Sequence, residues 1–147
     1  MITVKQITVQ DTYPLRIEIL RNGKTINYHF VGDKHKETIH LGAFLDNKCI
    51  GIVSLIPNSH KTFQKIVTYQ LRGMAVNTNM QKQGVGNLLI EASFRFLKGG
   101  SKCEILWCNA RIIAVDFYKK MGFSIKGNKF QIPNVGPHYM MFTNCLK

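Results

Sequence analysis

From residue 76 to residue 89 the chain reads V-N-T-N-M-Q-K-Q-G-V-G-N-L-L, and Gly84 and Gly86 fall where a predicted strand gives way to an amphipathic helix. Glycines at such a turn let backbone N–H groups approach an anion with no Cβ in the way. The helix N-terminus adds its partial positive charge. The chemistry this predicts is capture of a phosphate or diphosphate, with Gln81, Lys82, Gln83, Gly84, Val85, Gly86 and Asn87 as candidate contacts. A P-loop reading fails, because Gly86 is followed by Asn87 and Leu88 rather than Lys and Ser or Thr. A dinucleotide fingerprint needs a third glycine and a later acid, so that reading is weak. The plain alternative is that the two glycines only permit a tight turn. The preceding strand, the uncapped helix start and the neighbouring Gln81 and Lys82 weigh against it.

The elements that must position this turn can be read from periodicity. Strands are predicted at Ile2–Thr8, Thr38–Leu45, Cys49–Ile56, Gln64–Val76, Cys103–Cys108, Phe123–Ile125, Lys129–Ile132 and Tyr139–Leu146. Ile39, Leu41, Ala43 and Leu45 alternate onto one face, and Asp46-Asn47 makes a hairpin turn to the next strand. Gly73 marks a bulge or a close backbone approach near the end of the long strand. A first helix is expected after a cap at Asp11 or Thr12, with Pro14 in its first turn and Leu15, Ile19 and Leu20 inward. It should stop near Asn22-Gly23, and the polar stretch Lys24–Glu37 reads as a mobile loop. Val85, Leu88, Leu89, Ala92 and Phe96 form the stripe of a second helix, and a third is expected from about Arg111 to Met121, closed by Gly122. An antiparallel meander followed by a β-α-β crossover makes an α/β protein with a mixed sheet.

Composition narrows the class. The 147 residues suit one domain, 1–147, and 45% hydrophobic residues supply a core. Twenty Lys and Arg against eight Asp and Glu leave a formal charge of +12, which suits an anionic ligand. The only adjacent basic pair is Lys119-Lys120, so no nucleic-acid arm or membrane-binding polybasic tail is apparent. Cys49, Cys103, Cys108 and Cys145 lie far apart without zinc-ligand spacing, and we read them as buried reduced thiols with no metal. The N-terminus lacks the apolar segment of a signal peptide. Cys49–Ile56, the longest apolar stretch, is too short to span a bilayer, so a cytoplasmic protein without a membrane partner is expected. His29, His35 and His60 fall in polar loops and read as solvated, whereas His40 lies opposite the apolar face of its strand.

Gln81, Gly84 and Gly86, after Leu71-Arg72-Gly73-Met74-Ala75-Val76, resemble the acetyl-CoA-binding signature of the GNAT superfamily of N-acetyltransferases. Ala114 to Phe123, with Phe117, Tyr118, Lys120, Gly122 and Phe123 in place, is similar to that family's second signature, A-x-x-F-Y-x-K-x-G-F. One helix and one strand separate the two, as the family requires. The tail from Gly127 to Met141 is similar to the ending of a small-molecule GNAT subgroup. The resemblance implies a mostly antiparallel, twisted sheet of about six to seven strands, helices on both faces and a splayed central strand pair. Acetyl-CoA is the implied co-substrate. The backbone of Met74, Ala75 and Val76 would pair with its pantetheine arm, as in addition to a strand edge. Amides from Gln81 to Gly86 would hold the diphosphate.

In the implied reaction an amine attacks the thioester carbonyl. An N–H near Met74–Val76 faces the developing oxyanion, and Tyr118 protonates the leaving thiolate. Without the resemblance, Phe117 and Tyr118 read as core aromatics. Where many members carry Asn three positions before the Ala of the second signature, this chain has Arg111, with Asn109 two residues earlier. Asn109 is then a candidate cofactor contact, and Arg111 a candidate for cofactor phosphates or substrate. No acid lies between Gln64 and Val76. The base is therefore His138, a water chain, or none for an amine of low pKa. An α-amino group, at about 7.7–8.0, needs less help than a lysine at about 10.4. His138 has an equal reading as a surface residue of the Pro-His turn. Arg16 and Arg21 on the first helix and Arg72 on the long strand are candidate ligands for an anionic group on the acceptor, such as the carboxylate of an amino acid. Two other readings stand beside this small-molecule one: a basic nucleic-acid-binding module, and a CoA-binding GNAT-fold protein without turnover. A homodimer is left open.

Overall fold

The computed structural model of the chain describes residues 1–145. Its frame is one mixed sheet in which the strands β1 (Thr3–Ile7), β2 (Ile39–Leu45), β3 (Lys48–Pro57) and β4 (Thr68–Val76) run as an antiparallel meander. Asp46 and Asn47, at φ of 51° and 66°, make the primed turn whose twist matches the β2–β3 hairpin. Next to β4 lies β5 (Ile105–Arg111), parallel to it, and beyond β5 lies β8 (Gly136–Asn144), antiparallel. Two short strands, β6 (Ser124–Ile125) and β7 (Phe130–Ile132), both pair with β8. The described residues thus form eight strands, and the additions to the expected six to seven are short segments on β8. Leu146 of the expected last strand lies outside the described residues.

The central pair β4–β5 is joined only at Thr68–Ile105, Tyr69–Leu106 and Gln70–Trp107. Beyond Gln70, β4 stays paired with β3 as far as Val76, while β5 stays paired with β8 as far as Arg111. The two strands therefore part company midway. At the parting point the β3–β4 register slips between Ile52 and Ser54, so Gly73 and Met74 together face Val53. Gly73 sits at φ 61°, and a Cβ there would lie 2.6 Å from the Phe30 ring. Both the backbone sign and the close approach require glycine at this bulge.

Helices flank the sheet. The N-cap of α1 (Val9–Leu15) is Thr8, three residues before the expected Asp11, because Thr8 and Asp11 form a reciprocal capping box. Pro14 therefore lies inside the helix, where it removes a backbone donor, and the chain continues as a π-helical turn over Arg16–Leu20. On the other face, α2 (Val85–Gly100) buries Val85, Leu89, Ile90, Ala92, Ser93 and Leu97. Leu88 and Phe96, expected in that stripe, are half-buried at its margin.

The third helix is shorter than expected. Arg111 belongs to β5, paired with His138, so α3 begins only at Val115, after a 3₁₀ turn, and ends at Lys120. Gly122 follows at φ 96°, in the left-handed conformation that closes a helix. Among the described residues, no helix is long and apolar enough to cross a membrane.

Candidate active site

Where β4 and β5 diverge, they bound a cavity of about 410 Å³. The two faces of the sheet contribute differently. On β5, Leu106, Cys108 and Ala110 join the core beneath α2, together with Tyr118 of α3. The alternate residues Trp107, Asn109 and Arg111 point to the opposite face, beside their β8 partners Phe142, Met140 and His138. The opening passes between these layers, so Cys108 and Tyr118 line it from one side, and Asn109, Arg111 and His138 from the other.

The β4 wall offers backbone. Asn77 donates its N–H to the Ile50 carbonyl at 2.8 Å. Alternation along an antiparallel ladder then turns the N–H and C=O of the preceding residue, Val76, away from β3 and toward the gap. The Val76 carbonyl is already taken by Gln81 Nε2 at 3.0 Å, which leaves its N–H as the free group. Below this edge, Gln83 Nε2 donates to the Asn79 carbonyl, and Asn77 Oδ1 accepts from the Asn79 N–H. The side chains of Gln81 and Gln83 thus brace the turn rather than project from it.

Lys82, exposed at φ 63°, and Gly84 at φ 83° then swing the chain into α2. No side chain caps α2. Its first-turn amides at Val85, Gly86 and Asn87 carry the positive end of a 16-residue helix. Only the backbone of Val85 can serve a ligand, since its side chain is buried. Ala75 likewise turns its side chain onto Leu15 and Ile52, whereas Met74 lines the cavity.

Tyr118 is 7% exposed and lines the cavity, and among the described residues its hydroxyl has no hydrogen-bond partner. Burial, reinforced by the Cys108 thiol, pushes its pKa well above that of a free phenol, so it keeps its proton. The same burial pushes Cys108 up to about 12. His138 is buried as well, which removes its reading as a surface turn residue. Its Nδ1 lies 2.8 Å from the Gly136 carbonyl; since a carbonyl only accepts, Nδ1 carries the proton and Nε2 is left as the acceptor.

The remaining wall is cationic. Arg21, Arg72 and Arg111 line the cavity, and among the described residues no carboxylate does. Arg72 is half-buried, its guanidinium carbon 4.3 Å from the Phe30 ring centre, and among the described residues it has no hydrogen-bond partner. Burial lowers its pKa, the charges of Arg16 and Arg21 add to that, and Asp33 opposes it. Arg21 is tied to the backbone of Asn27 and Leu20.

Arg16 is not a substrate ligand. It is fully buried, and its two terminal nitrogens bond both oxygens of Asp33, at 2.8 and 2.9 Å, the Tyr28 carbonyl and Ser54 Oγ. A helix-surface cation in the sequence is thus a buried brace in the fold. Asp33 also accepts from the Phe30 N–H at 2.8 Å. His40 closes a ring: its Nε2 donates to the Asp33 carbonyl, and its Nδ1 therefore accepts the Ser54 hydroxyl proton at 2.7 Å. Phe30, with Arg16 at 3.8 Å on the ring, is thereby held against Gly73. Far from free, the loop expected to be mobile is anchored at its centre by a buried ion pair. Phe30, Asp33 and Ser54 carried no sequence signal, because their roles depend on partners up to 38 residues away. His60 also departs from expectation, packing edge-on against Trp107 at 4.7 Å rather than standing in solvent.

Residues 8–123 match the Acetyltransferase (GNAT) family. The chain is 36% identical, over 144 residues covering 97% of it and 95% of the relative, to the uncharacterized N-acetyltransferase YitI of Bacillus subtilis strain 168. Among solved structures, an acetyltransferase of the GNAT family from Streptococcus pneumoniae superposes with a TM-score of 0.71 at 19% identity, covering 98% of this chain and 99% of that one. An aminoglycoside 6'-N-acetyltransferase complexed with coenzyme A superposes at 0.76 and 13% identity, covering 99% of this chain and 98% of that one. At these identities the solved structures speak to the fold alone.

Proposed function

The chain belongs to the GNAT acetyltransferase family and is an acetyl-CoA-dependent N-acetyltransferase; on that premise we propose that its acceptor is a small primary amine bearing an anionic group, such as an amino acid. The observation that carries the reading is Arg72: a half-buried guanidinium that, among the described residues, has no hydrogen-bond partner and faces a cavity no carboxylate lines. Its nitrogens remain accessible from the cavity, and a carboxylate or phosphate takes charge-assisted bonds from such a guanidinium. Arg111 lies on the same face and adds to the attraction.

Acetyl-CoA supplies the thioester. The uncapped first turn of α2 and the unpartnered Val76 N–H fit its diphosphate and its acyl-pantetheine arm respectively. Tyr118 delivers the proton the departing sulfur needs, and burial keeps that proton in place at neutral pH. His138 Nε2 receives the proton released by the attacking amine. As the N–C bond forms and the C–S bond breaks, negative charge on the carbonyl oxygen meets the fixed Val76 N–H dipole. Asn109, exposed between the two walls, serves whichever ligand reaches that edge.

The test is a panel of amines with acetyl-CoA, read by thiol release, for wild type and Arg72→Met. Amino acids should outperform their amides and neutral amines. The substitution should raise acceptor KM about tenfold, the share of one charge-assisted contact, with CoA affinity unchanged. Neutral amines beating amino acids would overturn the reading.

A further inference from the structure

A second cavity, of about 610 Å³, adjoins the first on the Trp107–Asn109 face of the sheet. Asn109 lines both, and the rings of Phe130 and His138, 6.0 Å apart and tilted by 31°, stand one in each. Trp107, His60, Phe130 and Met140 give it apolar and aromatic walls, while Lys61 and Lys126 supply charge and, among the described residues, no acid lines it. Its shape is fixed from outside: the Trp107 indole donates to the Asn58 carbonyl at 3.1 Å, and the His60 ring packs edge-on to the indole. The volume falls within the range of small-molecule sites, about 300–1,000 Å³. Along β5, Trp107 of the second cavity is four residues, about 13 Å, from Arg111 of the first.

We propose that this second cavity seats the far end of the acceptor, an aryl or bulky apolar group ending in a carboxylate or phosphate. The proposal rests on the reading of the first cavity as the amine site. With the amine beside His138 and its neighbouring anion on Arg72, a side chain leaving past Asn109 meets the aromatic walls first and the lysines last. The aromatic surface selects a flat or bulky apolar group, and the paired cations without an acid select its acidic tip. Short acceptors fill only the first cavity and forgo both.

Trp107 is the only tryptophan of the chain, so intrinsic fluorescence reports on this cavity directly. The full-length protein is titrated with 3-phenylpropionate and with its amide, in the presence of CoA. The carboxylate should change the emission saturably and bind more tightly than the amide, and Lys126→Glu should weaken it about fivefold. In acetylation assays, Lys126→Glu should raise KM for 4-carboxyphenylalanine while leaving that for alanine unchanged, and 3-phenylpropionate should compete with 4-carboxyphenylalanine.

No fluorescence response in protein that still binds CoA overturns the proposal. So does a response that Lys126→Glu leaves intact, since the ligand then sits on Arg72. Binding without competition against 4-carboxyphenylalanine overturns it in favour of a separate effector site. Failure of both amino acids as acceptors refutes the amino-acid reading of the first cavity, and the fluorescence titration stands independently of it.

Discussion

On the wall formed by the Val76 edge and the first turn of α2, the groups turned to the ligand are backbone amides; on the wall made by Phe30, Arg72, Arg111 and His138 they are side chains. The first wall takes its shape from conformation, with Gly73 and Gly84 at positive φ and a helix whose first turn no side chain caps. The second takes its shape from a buried ionic ring, in which Arg16, Asp33, Ser54 and His40 hold Phe30 beneath Arg72. A backbone wall presents the same N–H groups whatever residues surround it, which suits a co-substrate common to a family. A side-chain wall can change one residue at a time, which suits an acceptor that differs between members.

The most severe way to break this division is to remove Asp33. Asp33→Ala leaves Arg16 buried with both terminal nitrogens short of a partner, and breaking such a pair costs about 3–5 kcal/mol. Urea unfolding should register that loss. In protein that remains folded, acceptor KM should rise as Phe30 and Arg72 lose their support, with CoA affinity nearly unchanged. Equal damage to both substrates would mean the two walls are one mechanical unit.

Next in size is Tyr118→Phe, which keeps the ring in the core and removes the proton donor. General acid–base groups contribute about 10²–10⁴-fold, so kcat should fall by roughly a hundredfold. The affinity for CoA should hold, because the phenyl ring still fills its place beside Phe117 and Phe123. An unchanged kcat would return Tyr118 to the role of a core aromatic.

The two walls also differ in how much of each is legible from residue order. The glycine turn, the bulge at Gly73 and the left-handed closure at Gly122 are local: each follows from a residue type and its immediate neighbours. The Arg16–Asp33 pair spans 17 residues and its link to Ser54 spans 38, so no window along the chain contains it. Arg16 reads as a solvated helix cation until its partner is located, since an arginine is buried only where its charge is met. The end of β5 was hidden for a similar reason. Arg111 adjoins a helical signature, and only its pairing with His138 keeps it in the strand. Patterns local in sequence therefore marked the co-substrate wall, and pairings distant in sequence made the acceptor wall.

A smaller perturbation sharpens the comparison from the other side. Gly84→Ala forces a Cβ into a φ of 83°, although among the described residues no atom beyond its chain neighbours lies within 4 Å of the new carbon. The cost is conformational, about 1 kcal/mol, and it falls on the turn that presents the α2 amides. KM for acetyl-CoA should rise severalfold while acceptor KM stays level, the mirror image of Arg72→Met. A shift in acceptor KM instead would show that the turn reaches across the opening.

The mildest lever is acid, and it acts through His40. Burial lowers the His40 pKa and the Arg16 charge adds to that, while its bond to the Asp33 carbonyl and the Asp33 charge oppose it. The unfolded chain therefore binds a proton at His40, near pH 6.5, before the folded chain does. Stability is fully present above that pH and declines as pH falls through the folded value. Asp33 adds to the loss only lower down: burial raises its pKa, but the Arg16 and Phe30 hydrogen bonds and the charges of Arg16 and His40 together bring it below the usual 3.8. A proton on His40 Nδ1 displaces the Ser54 hydroxyl proton it now accepts, which opens the ring that holds Phe30. Urea unfolding of the wild type at pH 7.5 and pH 5.5 should show a loss on acidification that is small beside that of Asp33→Ala, and His40→Asn should flatten it. Acceptor KM should worsen over the same interval with CoA affinity steady, because the ionic ring braces one wall and leaves the other to its backbone.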